Sequence, residues 1–273
     1  MHLPVATALL LLAVSGCGRF SFDPTGGVGN DALPGGDSRD GVVSGHDEDG
    51  DGVPDSVDSC PHLPGAQTDT YGDGLGDLCD PHPTQNGDSR VVFATLTGTD
   101  QPFTLGSGDW VVEGDDLAQT LTYADLVLTL PTAVDSIQIE VGLSIDSIVA
   151  APTEQRQFTM HGTQTVSDEQ FYGELNEVPA SLSAMEIEHF TPPSTFAPGD
   201  VTNLASGVHT GEVALTLTKD VTLHTTAFHG GWGAETYQVQ AADPLYTGTQ
   251  QIYMNMNGIA VHLHYVFATT WTP

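Results

Sequence analysis

Ile137-Gln138-Ile139-Glu140-Val141 and Val213-Ala214-Leu215-Thr216-Leu217 are the stretches that decide the fold. In both, the apolar side chains fall on odd positions. That period of two puts them on one face of an extended chain and leaves the other face to polar or small residues. Working outward, the same texture begins at Val91 and is broken at short intervals by Gly, Pro and Asp clusters. It predicts strands at 91–97, 110–113, 126–130, 136–145, 155–161, 170–175, 183–189, 211–219, 221–227, 236–240, 251–256 and 259–268. No amphipathic pattern outlasts two helical turns. About a dozen strands in roughly 185 residues, each with one face to bury, predict an all-β fold of two stacked sheets with a sizeable core.

Two further stretches give these strands an order. Phe103-Thr104-Leu105-Gly106-Ser107-Gly108-Asp109-Trp110-Val111-Val112-Glu113-Gly114 surrounds a Trp, and Ile259-Ala260-Val261-His262-Leu263-His264-Tyr265-Val266-Phe267 runs near the C-terminus. Together they resemble the early strand pair and the closing strand of concanavalin A-like, laminin G-type jelly rolls. The resemblance implies a jelly-roll β-sandwich over residues 88–273. That fold carries sugar-binding modules, adhesion modules and glycosidases, so function must be argued from sites.

Charge narrows the possibilities. Against 36 Asp+Glu stand 5 Lys+Arg, a formal net charge of -31. Nucleic-acid binding is excluded as a reading, because phosphate contacts need Lys and Arg, and Arg19, Arg39, Arg90, Arg156 and Lys219 form no patch. The single lysine, in an alternating run, also argues against phosphate-loop and lysine-dependent covalent chemistry. A domain so acidic repels itself unless cations neutralise part of the charge.

The N-terminus reads as a targeting segment. The apolar run from Val5 to Val14 is shorter than the span of about 20 residues that crosses a bilayer. It ends in Val14-Ser15-Gly16-Cys17, with small residues before a Cys, and so resembles a bacterial lipoprotein signal peptide. The resemblance implies removal of residues 1–16, lipidation of Cys17 and anchoring in the cell envelope. Gly18 after the Cys points to the outer membrane, with a periplasmic or surface-exposed chain. Residues 17–45, rich in Gly, Asp, Ser and Pro, are expected to form a flexible tether. With Cys17 assigned to lipid, Cys60 and Cys79 are left as one pair in a compartment that permits disulfides.

Residues 46–83 carry the most specific signal. From Asp47 to Asp58, acids fall at loop positions 1, 3, 5, 9 and 12 (Asp47, Asp49, Asp51, Asp55, Asp58) and Gly52 falls at position 6. This is calcium-loop spacing: a hard cation takes six to eight oxygens, alternate carboxylates point inward, the Gly permits the turn, and Val53 offers its carbonyl at position 7. The pattern returns with Asp69, Asp73, Gly74, Asp77 and Asp80. Tyr71 replaces the acid at position 3, so the second loop is expected to bind more weakly. Without flanking helices, and with Cys60-Pro61, Gln67, Gly76-Asp77-Leu78-Cys79-Asp80 and Pro83, the segment resembles a thrombospondin type 3 repeat. That implies Ca²⁺ in place of an apolar core and a Cys60–Cys79 bridge, which contributes about 3 kcal/mol on a chain-entropy argument. The expectation is a calcium-stiffened spacer that folds as it binds.

Three stretches of the β region are weighed for chemistry. Glu186 and Glu188 share a strand face, but Thr191 stands where a concanavalin-like glycosidase would carry its third acid. The expectation there is two solvent-facing carboxylates. His262 and His264 share a strand face, and His224 and His229 are near in sequence, without the spacing of a zinc site. His229-Gly230-Gly231-Trp232-Gly233 reads as a Gly-rich loop whose Trp either packs in the core or, with Trp110 and Tyr237, stacks on a sugar. No catalytic residue is assigned. The reading is a calcium-binding envelope lipoprotein whose sandwich binds a glycan or a protein. A hydrolase on the same sandwich and a purely structural protein are the alternatives.

Overall fold

A computed structural model describes residues 45–65, 67–97, 102–164, 169–191, 195–242 and 248–272. The signal segment, Cys17 and the tether up to residue 44 lie outside them. The described residues are all-β. In chain order the strands are β1 (Asp88–Ala94), β2 (Phe103–Leu105), β3 (Val111–Glu113), β4 (Asp116–Gln119), β5 (Tyr123–Val134), β6 (Ser136–Ile148), β7 (Arg156–Gln164), β8 (Gln170–Val178), β9 (Leu182–Thr191), β10 (Thr195–Asn203), β11 (Gly211–Asp220), β12 (Thr225–Trp232), β13 (Glu235–Ala242), β14 (Thr249–Asn257) and β15 (Ile259–Trp271).

They form two antiparallel sheets. One runs β13-β12-β11-β6-β15-β4-β3, with β1 also on β15; the other runs β10-β9-β8-β7-β14-β5-β2. The two stretches that decide the fold lie side by side: Val213 pairs with Leu143, Leu215 with Val141 and Leu217 with Ile139. All six are buried. They face Leu126, Leu128, Phe158, Met160, Phe171, Ile252 and Met254 of the other sheet in one core. Each fully buried large side chain contributes about 1.5–3 kcal/mol, and this burial holds the sandwich closed.

The 46–83 segment does not stand off as a spacer. It lies on the outer face of the eight-stranded sheet. A register shift in β15 between Leu263 and Tyr265 turns Tyr265 and Phe267 outward. These rings join Cys60, Leu75 and Cys79 in a second, smaller apolar cluster. The Cys60–Cys79 disulfide is formed, with Cα atoms 5.7 Å apart. The His62 ring sits 4.9 Å from Tyr265 and 4.5 Å from Phe267, and its Nε2 lies 3.0 Å from Glu140 Oε2 on β6. Arg90 of β1 donates to the Asp58 carbonyl at 3.1 Å. The 46–83 segment therefore completes an apolar cluster with side chains of the sandwich.

Some local expectations need correction. The strand expected at 221–227 is split by a turn: Asp220 Oδ1 accepts from the backbone N–H of Thr222 (2.7 Å) and Leu223 (2.9 Å), and His224 takes φ 54°. The stretch His229 to Trp232, expected as a loop, is the end of β12. Strand β5 outruns its expected 126–130 on both sides, its pairing shifted between Thr249 and Gln251 of β14 where Pro131 would interrupt the ladder.

Inter-sheet packing is tightest where Phe228 of β12 lies over Gly173 of β8. A Cβ added at Gly173 would stand 2.6 Å from the Phe228 ring. Gly173→Ala is expected to lower the urea-unfolding free energy by about 1–3 kcal/mol through overpacking, with an unchanged m-value.

Candidate functional site

Two regions carry unbalanced polar groups. The first is the acidic loop from Asp47. Carboxylates of Asp47, Asp49 and Asp51 each offer an oxygen such that all three lie within 4.8 Å of one another. The backbone arranges them: Asp47 accepts from Gly52 N (2.8 Å), Asp49 from Asp51 N (3.0 Å) and Asp51 from Val53 N (2.8 Å). Gly50 and Gly52 take φ 72° and 91°, which favours glycine at both turns. Asp58 accepts from Cys60 N (2.7 Å) and Gln67 Nε2 (2.6 Å), tying the loop's end to the disulfide. Asp55 is turned to His46 Nδ1 (2.6 Å) and Glu48 N (2.9 Å).

What remains is informative. Asp47 Oδ1, Asp49 Oδ2 and Asp58 Oδ2 are buried with no hydrogen-bond partner. Burial, with the like charges of Asp51, Asp58 and Asp47, pushes the Asp49 carboxyl up to about 6. Orphaned oxygens on crowded carboxylates are what a hard divalent cation satisfies, and this donor set fits one.

The second loop is arranged differently. Asp69 accepts from Gly72 N and Gly74 N, Asp77 from Thr70 N and Oγ1, and Asp73 from Leu75 N, Gly87 N and Asp88 N. Burial and a hydrogen bond with Asp88 raise Asp80 to about 7. Among the described residues, only the Asp47, Asp49 and Asp51 oxygens gather tightly enough to hold an ion.

The second region is the outer face of the seven-stranded sheet. Cross-strand register lines up Tyr253 of β14, His161 of β7 and Tyr172 of β8, with Glu188 of β9 beyond. The rings touch: His161 stacks on Tyr253 at 4.7 Å and 5°, and lies 4.6 Å from Tyr172. The next row places Glu186 opposite Glu174, and Glu174 opposite Thr159. Amide donors hold the acids. Gln157 Nε2 donates to Glu174 Oε2 (2.9 Å) and Asn176 Nδ2 to Glu186 Oε1 (2.9 Å). The phenols donate to Gln170 and Gln251. Burial first, then repulsion from Glu188 and Glu186, pushes Glu174 up to about 7. Burial lowers His161 to about 4, so its ring is neutral.

Sequence reasoning found Glu186 and Glu188 but missed Glu174, Tyr172, His161 and Tyr253. The available signal was the even-position polar set Tyr172-x-Glu174-x-Asn176, which alternates with buried Phe171, Gly173 and Leu175.

The other stretches serve structure. Trp232 is buried, stacks on His209 at 4.8 Å and donates to the His209 carbonyl (3.2 Å), so its expected alternative as a sugar platform is withdrawn. Trp110 donates to the Ser107 carbonyl at 2.9 Å. His264 lies between Asp116 (2.8 Å) and Glu212 (3.1 Å), and His262 between Asp146 (2.5 Å) and Glu113 (3.4 Å). Burial opposes protonation of His264, but the two carboxylates outweigh it and raise the ring to about 10.

No family model matches the chain, and no curated protein matches it. Solved structures do. The CBM2 module of the evolved Dit of Lactobacillus casei BL23 phage J-1 aligns with TM-score 0.55 and 10% identity, over 68% of this chain and 97% of that one. A Bauhinia forficata lectin, solved with GalNAc, gives 0.51 and 11% over 68% and 99%. The winged bean acidic lectin, solved with methyl-α-D-galactose, gives 0.51 and 7% over 68% and 100%. At these identities the likeness shows the fold: a concanavalin A-like jelly-roll β-sandwich.

Proposed function

We propose that the chain is an exported, lipid-anchored glycan-binding protein, whose sandwich binds its ligand on the outer face of the seven-stranded sheet and is braced on the opposite side by a calcium-loaded repeat. The observation that carries this reading is the Tyr253–His161–Tyr172 row beside Glu174, Glu186 and Glu188. Sugar recognition calls for apolar ring surface next to fixed acceptors and donors for hydroxyls. The likeness to sandwiches solved with bound sugars supports it. An open strand face with a ring row favours binding over hydrolysis.

For the metal, Asp47, Asp49, Asp51, Asp55, Asp58 and the Val53 carbonyl are the proposed ligands of a first Ca²⁺. Asp69, Asp73, Asp77 and Asp80 are those of a weaker second. The ion neutralises carboxylates that otherwise repel and fixes loops that carry little core of their own. The lipid on Cys17 and the tether to residue 45 hold the protein at the envelope, as an outer-membrane lipoprotein facing the periplasm or the exterior.

A glycan array with the full chain in millimolar calcium is expected to give binding to oligosaccharides, weakened at least ten-fold by Tyr172→Ala or Tyr253→Ala. Binding to no glycan would overturn the reading. Calorimetry is expected to detect a calcium site with Kd of about 10⁻⁴–10⁻³ M, lost in the Asp49→Asn variant; no heat at millimolar ion would remove the metal.

The charge on the face has its own signature. Glu174 binds its proton more tightly folded than unfolded, so the folded state is penalised as pH rises from about 4.5 to 7. Glu174→Gln is expected to match the parent at pH 4 and to exceed it by about 1–3 kcal/mol at pH 8 in urea unfolding.

A further inference from the structure

Among the described residues, cross-strand register sets no Lys or Arg beside the carboxylates on this face. Glu174 and Glu186 are directly opposite across β8 and β9, and Glu188 is opposite Tyr172 one pair along. Directly opposite residues hold their Cβ atoms about 4.5–5.5 Å apart, where like charges destabilise. The described Lys and Arg residues are committed elsewhere. Arg90 is on the Asp58 carbonyl, Arg156 is 2.8 Å from Glu177, and Lys219 is fully buried with Nζ 5.6 Å from the Phe171 ring centroid. His189 points inward to Thr226 of the other sheet, at 3.2 Å.

A second observation points to a ligand. His161 is 9% exposed, and its Nδ1 is buried without a hydrogen-bond partner in the middle of the ring row. Leaving such a group unsatisfied is costly, and a ligand hydroxyl seated against the ring row would recover that cost.

Resting on the glycan reading above, we propose that the ligand is an amino sugar with free ammonium groups, seated with the ammonium among Glu174, Glu186 and Glu188 and the sugar ring along Tyr172 and His161. The geometry favours this over a metal ion. Among the described residues the trio's oxygens do not gather as those of Asp47, Asp49 and Asp51 do, and amide N–H groups of Gln157 and Asn176 already occupy one oxygen each of Glu174 and Glu186. Thr159 also hydrogen-bonds Glu174, so the oxygens of Glu186 and Glu188 are the main acceptors for an ammonium and its neighbouring hydroxyls. Uronic and sialic acids meet only repulsion there.

The test compares three probes of equal length on the calcium-saturated full chain at pH 6: a glucosamine oligomer, its N-acetylated counterpart and a galacturonate oligomer. The glucosamine oligomer is expected to bind at least ten-fold more tightly than the N-acetylated one, with no binding of the galacturonate. The Glu174→Gln/Glu188→Gln double variant is expected to erase that preference, losing at least ten-fold more affinity for the glucosamine oligomer than for its N-acetylated counterpart. Equal affinity for the first two probes in the parent overturns the inference and leaves the glycan reading standing. Binding of none overturns both. A preference that survives in the double variant overturns the inference too, because it then reflects only attraction to an acidic chain.

Discussion

A chain with 36 acidic and 5 basic side chains cannot pair its carboxylates with Lys and Arg, and that scarcity shapes both surfaces of the sandwich. Buried carboxylates are tolerated only with hydrogen bonds or countercharge. Here the usual supplier is histidine or the backbone. His62 meets Glu140 at 3.0 Å, His82 meets Asp88 at 2.9 Å, and Asp220 is satisfied by two turn N–H groups. In the first acidic loop the backbone reaches one oxygen of each of Asp47, Asp49 and Asp58 and leaves the other without a partner, and in the Glu174 row carboxylates oppose each other; these are the places where external ligands are proposed.

The same constraint explains why the repeat is docked. A segment of Asp, Gly, Pro and Cys has too few apolar side chains to fold alone, and its loops repel without a cation. Packing Cys60, Cys79 and Leu75 against Tyr265 and Phe267 supplies the missing apolar contact. The β15 register shift that turns these two rings outward is thus as much part of the repeat as of the sheet. The disulfide ties the loops together, and the sandwich gives them a surface to lie on.

Much of the fold was legible in the residues. The alternation in Ile137 to Val141 and Val213 to Leu217 foretold two one-faced strands, and the structure places them side by side. What failed had local causes. Gly230 and Gly231 suggested a loop, but a Cβ at Gly230 would meet the Leu215 side chain at 2.5 Å and one at Gly231 the Glu235 carbonyl at 2.3 Å. These glycines serve close packing inside a hairpin, which sequence alone does not separate from a turn. Pro198 and Gly199 hid β10, whose register slips between Pro198 and Val201. Of the ring-row face, only Glu186 and Glu188 could be paired by spacing. Glu174, His161 and Tyr253 sit on three other strands and meet them through register, which no periodicity encodes.

The placement of the two regions also has a directional consequence. The repeat covers the outer face of the eight-stranded sheet around Glu140, Tyr265 and Phe267, whereas the ring row lies on the outer face of the seven-stranded sheet. In a sandwich these faces point in opposite directions. An anchor that enters through the N-terminal end of the repeat therefore joins the molecule on the side away from its ring row. With the proposed lipid at Cys17, the tether does not have to pass the binding face to reach the membrane. Under the proposed function that placement leaves the ring row open to a glycan, and the packing of residues 46–83 on the sheet decides how firmly the orientation is kept.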